Sequence, residues 1–200
     1  MPANVEFKAR LRNAAAAHAI AARLSGAGGE PIPQTDIFFE ASSGRLKLRI
    51  LGPARAEWIS YQRTDSAAPR RSDYRIAPAA NPAELIQVLA PALTVTGVVK
   101  KERRLYRYGQ ARIHIDRVDG LGDFLEIEVV LRPEQPEAEG HAMANDLLRR
   151  FGVAPDDLLG CAYVDLMREA GVALDWRTAV EQTLSPSHAG VSVQTSPARL

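Results

Sequence analysis

Along most of the first 130 positions of this chain, apolar and polar residues alternate one by one, the spacing that gives a β-strand one greasy and one wet side. The alternation recurs in NVEFKARLR, TDIFFEA, GRLKLRIL, AEWISYQR, SDYRIA, TVTGVVKKERRLYRY, QARIHIDRV and DFLEIEVVLR, which predicts about eight strands. Turn-rich stretches such as GAGGEPIPQ, DSAAPRR and DGLG separate them. Gly109 in YRYGQARI stands at the first position of a two-residue hairpin loop, where a type II′ turn requires glycine.

Helical spacing is rarer. Asn13 is placed to cap an alanine-rich helix that stops at Gly26, and Asn81 followed by Pro82 has the cap-then-proline order of a helix start. Two further helices are expected near residues 137–151 and 155–170, each followed by glycine. Residues 172–200, ending in TLSPSHAGVSVQTSPARL, offer little to bury and are expected to form a flexible tail after a domain spanning residues 1–171. The fold class is therefore α+β and mainly antiparallel β.

Charge adds little as a total and much as a pattern. Twenty-five Lys and Arg face 24 Asp and Glu among 200 residues, a balance too even to name nucleic acid or an anionic membrane as the partner. The single cysteine, Cys161, excludes an internal disulfide framework and suits a reducing, cytoplasmic setting as a packed thiol. The apolar run at residues 14–24 is too short to span a bilayer and carries His18 and Arg23, so neither a signal peptide nor a membrane segment is expected.

Locally, ionic residues occupy whole strand faces. Glu6, Lys8, Arg10 and Arg12 share one face of the first strand; Arg45, Lys47 and Arg49 do so on the third. Lys101 with Arg103, Arg112 with His114 and Asp116, and Glu126 with Glu128 follow the same rule. An antiparallel sheet wetted on one side explains alternation without any function. Segregation of sign is harder to explain that way, because like charges opposite one another destabilise a sheet. If eight strands instead close into a barrel, the ionic faces line its lumen and the helices jacket the outside. Clustered guanidinium and ammonium groups then suit a polyanion, phosphate above all. A small acidic cluster among them suits a divalent cation shared with the phosphates.

The stretches NVEFKARL, GRLKLR, VVKKERRLYRYGQARIHID and GLGDFLEIEV, with CAYVDLM further on, resemble the CYTH family of triphosphate tunnel metalloenzymes, nearest its class IV adenylate cyclase-like branch. The resemblance runs from about residue 4 to 170. It implies a closed eight-stranded tunnel with flanking helices, a triphosphate substrate such as ATP, and Mg²⁺ or Mn²⁺. Of the family's ExExK signature, Glu6 and Lys8 match and Asn4 replaces the first carboxylate. The resemblance further implies that Lys8, Lys47, Arg49, Arg63, Lys101 and Arg103 clasp phosphates. It assigns Glu6, Glu126 and Glu128 to the metal, with Asp116 either a ligand or a residue that orients one. Asn4, Arg45, Arg112 and His114 are further candidates, His114 as a proton carrier or a simple hydrogen-bond partner. Arg10 is left open between phosphate contact and solvated rim.

Cyclisation of ATP to cyclic AMP and pyrophosphate is the expected reaction, with catalysis resting on Glu6, Lys8, Asp116 and Glu126. Hydrolysis of inorganic, thiamine or nucleoside triphosphate uses the same parts, and binding without turnover is kept open by Asn4. Outside the tunnel, His18 and His141 lack partners at metal-ligand spacing, Arg149 and Arg150 suit the last turn of a helix, and GAGGE lacks the Lys-Ser/Thr of a P-loop. The partner expected is a small triphosphate, with no nucleic acid or membrane; a homodimer is compatible with the sequence.

Overall fold

The computed structural model describes residues 2–184. Its strands are β1 (Ala3–Arg10), β2 (Glu30–Phe39), β3 (Arg45–Gly52), β4 (Arg55–Arg63), β5 (Arg70–Ala79), β6 (Val95–Tyr108), β7 (Ala111–Val118), β8 (Gly122–Val130) and the short β9 (Leu158–Leu159). The helices are α1 (Ala14–Ser25), α2 (Pro82–Ala92), α3 (Glu137–Arg150), α4 (Tyr163–Glu169) and α5 (Trp176–Leu184). The sheet runs β5-β4-β3-β2-β6-β7-β8-β1-β9, and a further pairing of β5 with β1 closes eight antiparallel strands into a barrel. Closure removes the unpaired edges that an open sheet of this length would expose. Among the described residues no helix is long and apolar enough to cross a membrane.

The closing seam is divided. β5 pairs with β1 only at Ala3, Asn4, Val5 and Glu6. Beyond that point β9 takes over, pairing with Lys8 and Ala9. On the other side of β1, β8 pairs along the whole strand and sets Glu6 opposite Glu128 and Lys8 opposite Glu126. Register thus brings four of the expected site residues together before any side chain is considered.

Outward-facing residues are the apolar half of each alternating pair. Val5, Phe7, Ile113, Leu125 and Ile127, each buried, pack beneath Ala17 and Ala21 of α1 and Ala144 and Leu147 of α3. On the other flank Ile37, Leu48, Ile50 and Val98 pack beneath Ile86 of α2 and Ala179 and Val180 of α5. At one end the inner face itself turns apolar: Phe38, Val99 and Phe124 meet Tyr163, Val164 and Met167 of α4, which fills that end of the barrel. The helices therefore supply the hydrophobic jacket that a barrel with a charged lumen requires.

Four local expectations need correction. GAGGEPIPQ is not all turn, because β2 begins at Glu30; Pro31 and Pro33 are tolerated there since β2 pairs only with β6 over residues 30–34 and meets β3 from Thr35 onward. The helix expected at 155–170 is a 3₁₀ turn (Pro155–Asp157), then β9, then α4, so the segment is spent on closing the seam. Asn81 adopts φ 50° and gives no side-chain cap to the backbone; Pro82 supplies the helix start. Residues 172–184, expected to be tail, include α5 against the second core, while residues 185–200 lie outside the described residues. By contrast Asn13 Oδ1 accepts from Ala16 N at 3.0 Å, and Gly109 alone of the two loop residues takes a positive φ, 56°, as a type II′ turn requires.

Candidate functional site: a charged tunnel

The barrel holds a cavity of about 110 Å³, open to solvent and lined by residues from the inner faces of β1 to β8 together with Ala162 and Tyr163; Arg45, Arg70, His114 and Asp116 are not part of its lining. The polar half of each alternating strand points into it, so the same period that built the jacket also built the lining. Its ionic groups fall into four clusters.

The first is centred on Asp116. Arg103 donates from Nε to Oδ1 and from Nη2 to Oδ2, both at 2.7 Å. Lys101 Nζ and Tyr163 Oη each reach Oδ2 at 3.1 Å. Arg103 Nη2 also donates to Glu126 Oε2 at 2.6 Å, and Lys8 Nζ lies 3.1 Å from Glu126 Oε1 and 3.5 Å from the Tyr163 ring centroid. Burial alone would raise the Asp116 carboxyl, but Arg103 and Lys101 hold it well below the usual carboxylate range. Burial lowers the Lys8 ammonium to about 8, against the pull of Glu126.

In the second cluster Asp36, 2% exposed, accepts from Lys47 Nζ at 2.7 Å, Arg49 Nε at 3.3 Å and Gln34 Nε2 at 3.0 Å. Burial opposes ionisation of Asp36, yet Lys47 and Arg49 keep it far below its ordinary value. In the third, Arg63 Nη1 donates to Glu6 Oε1 at 2.5 Å and Arg70 Nη2 stands 4.0 Å from the same oxygen. In the fourth, Arg112 Nη2 is 2.8 Å from Glu128 Oε2 and 3.5 Å from Asn4 Oδ1.

One carboxylate pair suits a metal. His114 Nδ1, Glu126 and Glu128 each offer a ligand atom, all within 4.8 Å of one another. His114 Nδ1 lies 3.9 Å from Glu128 Oε1 and is fully buried with no hydrogen-bond partner. Burial, then the nearby Arg103, lowers this imidazole to about 3, so it is neutral and keeps a lone pair to offer. Two carboxylates beside a phosphate-sized cavity fit a hard divalent cation completed by phosphate oxygens.

The sequence matches the CYTH domain family over residues 2–159. The chain belongs to that family. Members are metal-dependent enzymes that act on triphosphates. No curated protein matches the chain. Among solved structures it is similar to the PH1012 protein of Pyrococcus horikoshii OT3, at 26% identity and TM-score 0.62, covering 82% of this chain and 98% of that one. A candidate adenylate cyclase from Vibrio parahaemolyticus is 19% identical with TM-score 0.60, covering 82% and 97% respectively. Another, from Bacillus halodurans, is 16% identical with TM-score 0.51, covering 83% and 98%. The last two likenesses concern the fold alone.

Within this CYTH barrel, the expected residues separate by position. Glu6, Lys8, Lys47, Arg49, Arg63, Lys101, Arg103, Glu126 and Glu128 line the cavity, with Asn4 and Arg112 beside them. Asp116 lies in the wall, fully buried, with its oxygens taken by Arg103, Lys101 and Tyr163; it shares no ligand cluster with Glu126 and Glu128. Glu6 likewise stands apart from that cluster, committed to Arg63. His114 is buried beside the cavity, where burial and then Arg103 lower its imidazole. Arg10 is exposed, its guanidinium 5.6 Å from the Phe124 ring. Arg45 turns away to Asp165 of α4, at 3.1 and 2.7 Å.

Three participants had no expected role. Asp36 was legible in principle, since TDIFFEA puts it at inward parity between Thr35 and Ile37. Arg70 was hidden in a stretch that reads as turn. Tyr163 reaches the lumen from α4, and no strand period could announce it.

Proposed function

We propose that this chain is a metal-dependent enzyme that binds a triphosphate in its tunnel, and that its reaction is the conversion of ATP to cyclic AMP and pyrophosphate. The observation that carries the triphosphate reading is the lining itself: Lys8, Lys47, Arg49, Arg63, Lys101 and Arg103 all turn inward from four different strands onto one cavity. So many buried cations repel one another, and the energy of that arrangement falls when a polyanion enters. An apolar flank of Ile59, Tyr61, Tyr74 and Ile76 in the same cavity favours an organic triphosphate, because stacking and apolar contact serve a nucleoside and are of no use to inorganic triphosphate.

Glu126 and Glu128 are the residues to hold Mg²⁺ or Mn²⁺, with His114 Nδ1 facing them. The bound cation would neutralise developing charge on the phosphates. Lys8 and Arg103, now paired with Glu126, bracket that carboxylate and exchange partners with phosphate oxygens at little cost in distance. Asp36 fixes Lys47 and Arg49, and Asp116 fixes Lys101 and Arg103, so the cations are oriented before substrate arrives. A cyclase aligns the ribose 3′-oxygen with the α-phosphorus, and the apolar flank is the surface that would hold the nucleoside for it. Hydrolysis at the γ-phosphorus uses the same cations and is the second reading.

The deciding experiment incubates the purified chain with ATP and Mg²⁺ or Mn²⁺ and separates the products. Cyclic AMP with pyrophosphate supports cyclisation. ADP with orthophosphate replaces it by hydrolysis, and binding without turnover removes the enzymatic reading.

A further inference from the structure

Outside the tunnel a second cavity, of about 370 Å³ against the tunnel's 110 Å³, lies between the first half of α1 and the opening residues of β2. Its size is that of a small-molecule site. Ile115 of β7 and the rings of Pro31 and Pro33 give it apolar surface, and four ionic side chains border it: Glu102 and Arg104 from β6, Arg117 from β7 and Asp123 from β8. Arg117 Nε donates to Asp123 Oδ1 at 3.1 Å, and Glu102 stands opposite Arg117 across the β6–β7 pair, so both carboxylates are grouped about Arg117. Arg103 also borders the cavity, but its guanidinium is committed to Asp116 and Glu126. Arg104 is different: it makes no ion pair among the described residues, and its Nη1 reaches only the Gly29 carbonyl, at 3.5 Å.

Beside Arg104 stands His18 of α1. Its Nδ1 is 2.9 Å from Tyr106 Oη, which leaves Nε2 as the ring nitrogen free for the cavity. Burial, then the positive charge of Arg104, lowers this imidazole, so the ring is neutral and close to the guanidinium. Gly29, at φ 71°, holds both groups in place: a Cβ there would come within 2.5 Å of the Tyr106 ring and 2.9 Å of Arg104 Cγ. The second glycine pair of GAGGE thus permits a close approach, laying the turn before β2 against the stem of Arg104 and the ring that fixes His18.

We propose that this cavity is a binding site for a small organic monoanion, a carboxylate carried on an apolar body, separate from the triphosphate tunnel. The carboxylate meets the planar fork of Arg104 and the Nε2–H of His18, and it selects the tautomer in which Tyr106 Oη donates to Nδ1. The apolar body lies against Pro31, Pro33 and Ile115. Glu102 and Asp123 border the same cavity and repel a second negative charge, which favours a carboxylate over a doubly charged phosphate and leaves polyphosphates to the tunnel.

The test is an NMR titration of the full ¹⁵N-labelled chain with sodium benzoate, read at His18 Nε2 and Arg104 Nε–H. Both resonances are expected to shift and saturate together. Arg104 is exposed, so Arg104→Gln keeps the fold, and it should weaken benzoate by about tenfold or more, the loss of a charged hydrogen bond. Gly29→Ala should weaken it in the same direction, while Arg49→Gln in the tunnel should leave it unchanged. Phenyl phosphate should bind the cavity more weakly than benzoate. Shifts that never saturate, or an affinity unmoved by Arg104→Gln, overturn the site. Binding lost in Arg49→Gln and kept in Arg104→Gln places benzoate in the tunnel and overturns it as well, and phenyl phosphate binding as tightly as benzoate overturns the choice of a monoanion.

Discussion

Arg103 and Asp116 face each other in a two-pronged ion pair, both prongs 2.7 Å long, with neither side chain more than 5% exposed. Because Arg103 extends the same Nη2 to Glu126, the pair ties the wall of the tunnel to the carboxylate best placed for metal. Removing one partner of a buried pair leaves an uncompensated charge, which costs about 3–5 kcal/mol. Asp116→Ala should therefore lower unfolding free energy in urea by about that amount. Mn²⁺ affinity of the folded fraction should change less than threefold, since Asp116 lies outside the ligand cluster; a tenfold fall would make it a ligand after all.

Glu126 and Glu6 should behave differently although both are acidic tunnel residues. Glu126→Gln removes a ligand from the only group of three described residues with metal-ligand spacing, so Mn²⁺ binding by calorimetry should fall tenfold or more and metal-dependent turnover should vanish. Glu6→Gln removes the counter-ion of Arg63 and Arg70 instead. Its Mn²⁺ affinity should hold within about threefold while stability falls by about 1–3 kcal/mol, the cost of buried guanidinia exchanging a charged acceptor for a neutral one. Equal losses of Mn²⁺ affinity in the two variants would restore Glu6 to the metal.

Much of this barrel could be read from alternation because one period controls both of its surfaces: Val5 and Phe7 go to the jacket for the same reason that Glu6 and Lys8 go to the lumen. Where a residue obeys the period but also meets a neighbour from outside the strand, parity gives its face and not its partner. Arg45 shares parity with Lys47 and Arg49, yet Asp165 of α4 draws it away. Asp116 has the parity of a ligand, yet Tyr163 and two cations enclose it. The strand β9 was unreadable, since two leucines after a 3₁₀ turn carry no periodic signal. Arg70 Nη1 donates to the Leu159 carbonyl of that strand at 3.3 Å, so its place beside Glu6 was hidden for the same reason.

Packing of α3 against β1 depends on one small residue. A Cβ at Gly140 would come within 2.6 Å of Leu131 Cδ2 and 2.9 Å of Val5 Cγ2, and Val5 is fully buried. The half-buried Leu131 can turn its terminal methyl aside, but Val5 is held in a close-packed interior and has little room to yield. Gly140→Ala should therefore destabilise the fold by about 1–3 kcal/mol, although alanine is the better helix former. Thermal unfolding followed by circular dichroism measures it, and an unchanged or raised midpoint would show that α3 can shift without cost.

Lys47 makes triphosphate binding depend on pH in a direction that can be stated in advance. Burial is the main cause that lowers its ammonium from 10.5 to about 8; Asp36 opposes the shift, while Arg49 and Lys101 add to it. Below pH 8 the group is a cation able to meet phosphate, and above it the charge is lost. Lys8, also lowered to about 8, acts in the same direction. In the free enzyme, kcat/KM for the triphosphate should accordingly fall as pH rises through 8, the log–log slope approaching two where both lysines titrate. The same shift has the opposite sign for stability: the unfolded chain binds more protons than the folded one between pH 8 and 10.5, so folding gains from these lysines as pH rises across that window. Lys47→Arg keeps the charge at every pH in the range, and should reduce the limiting slope by one without abolishing the fall. A pH–rate profile of the two proteins checks this, and a slope unaltered by the substitution would mean that Lys47 is not the titrating group.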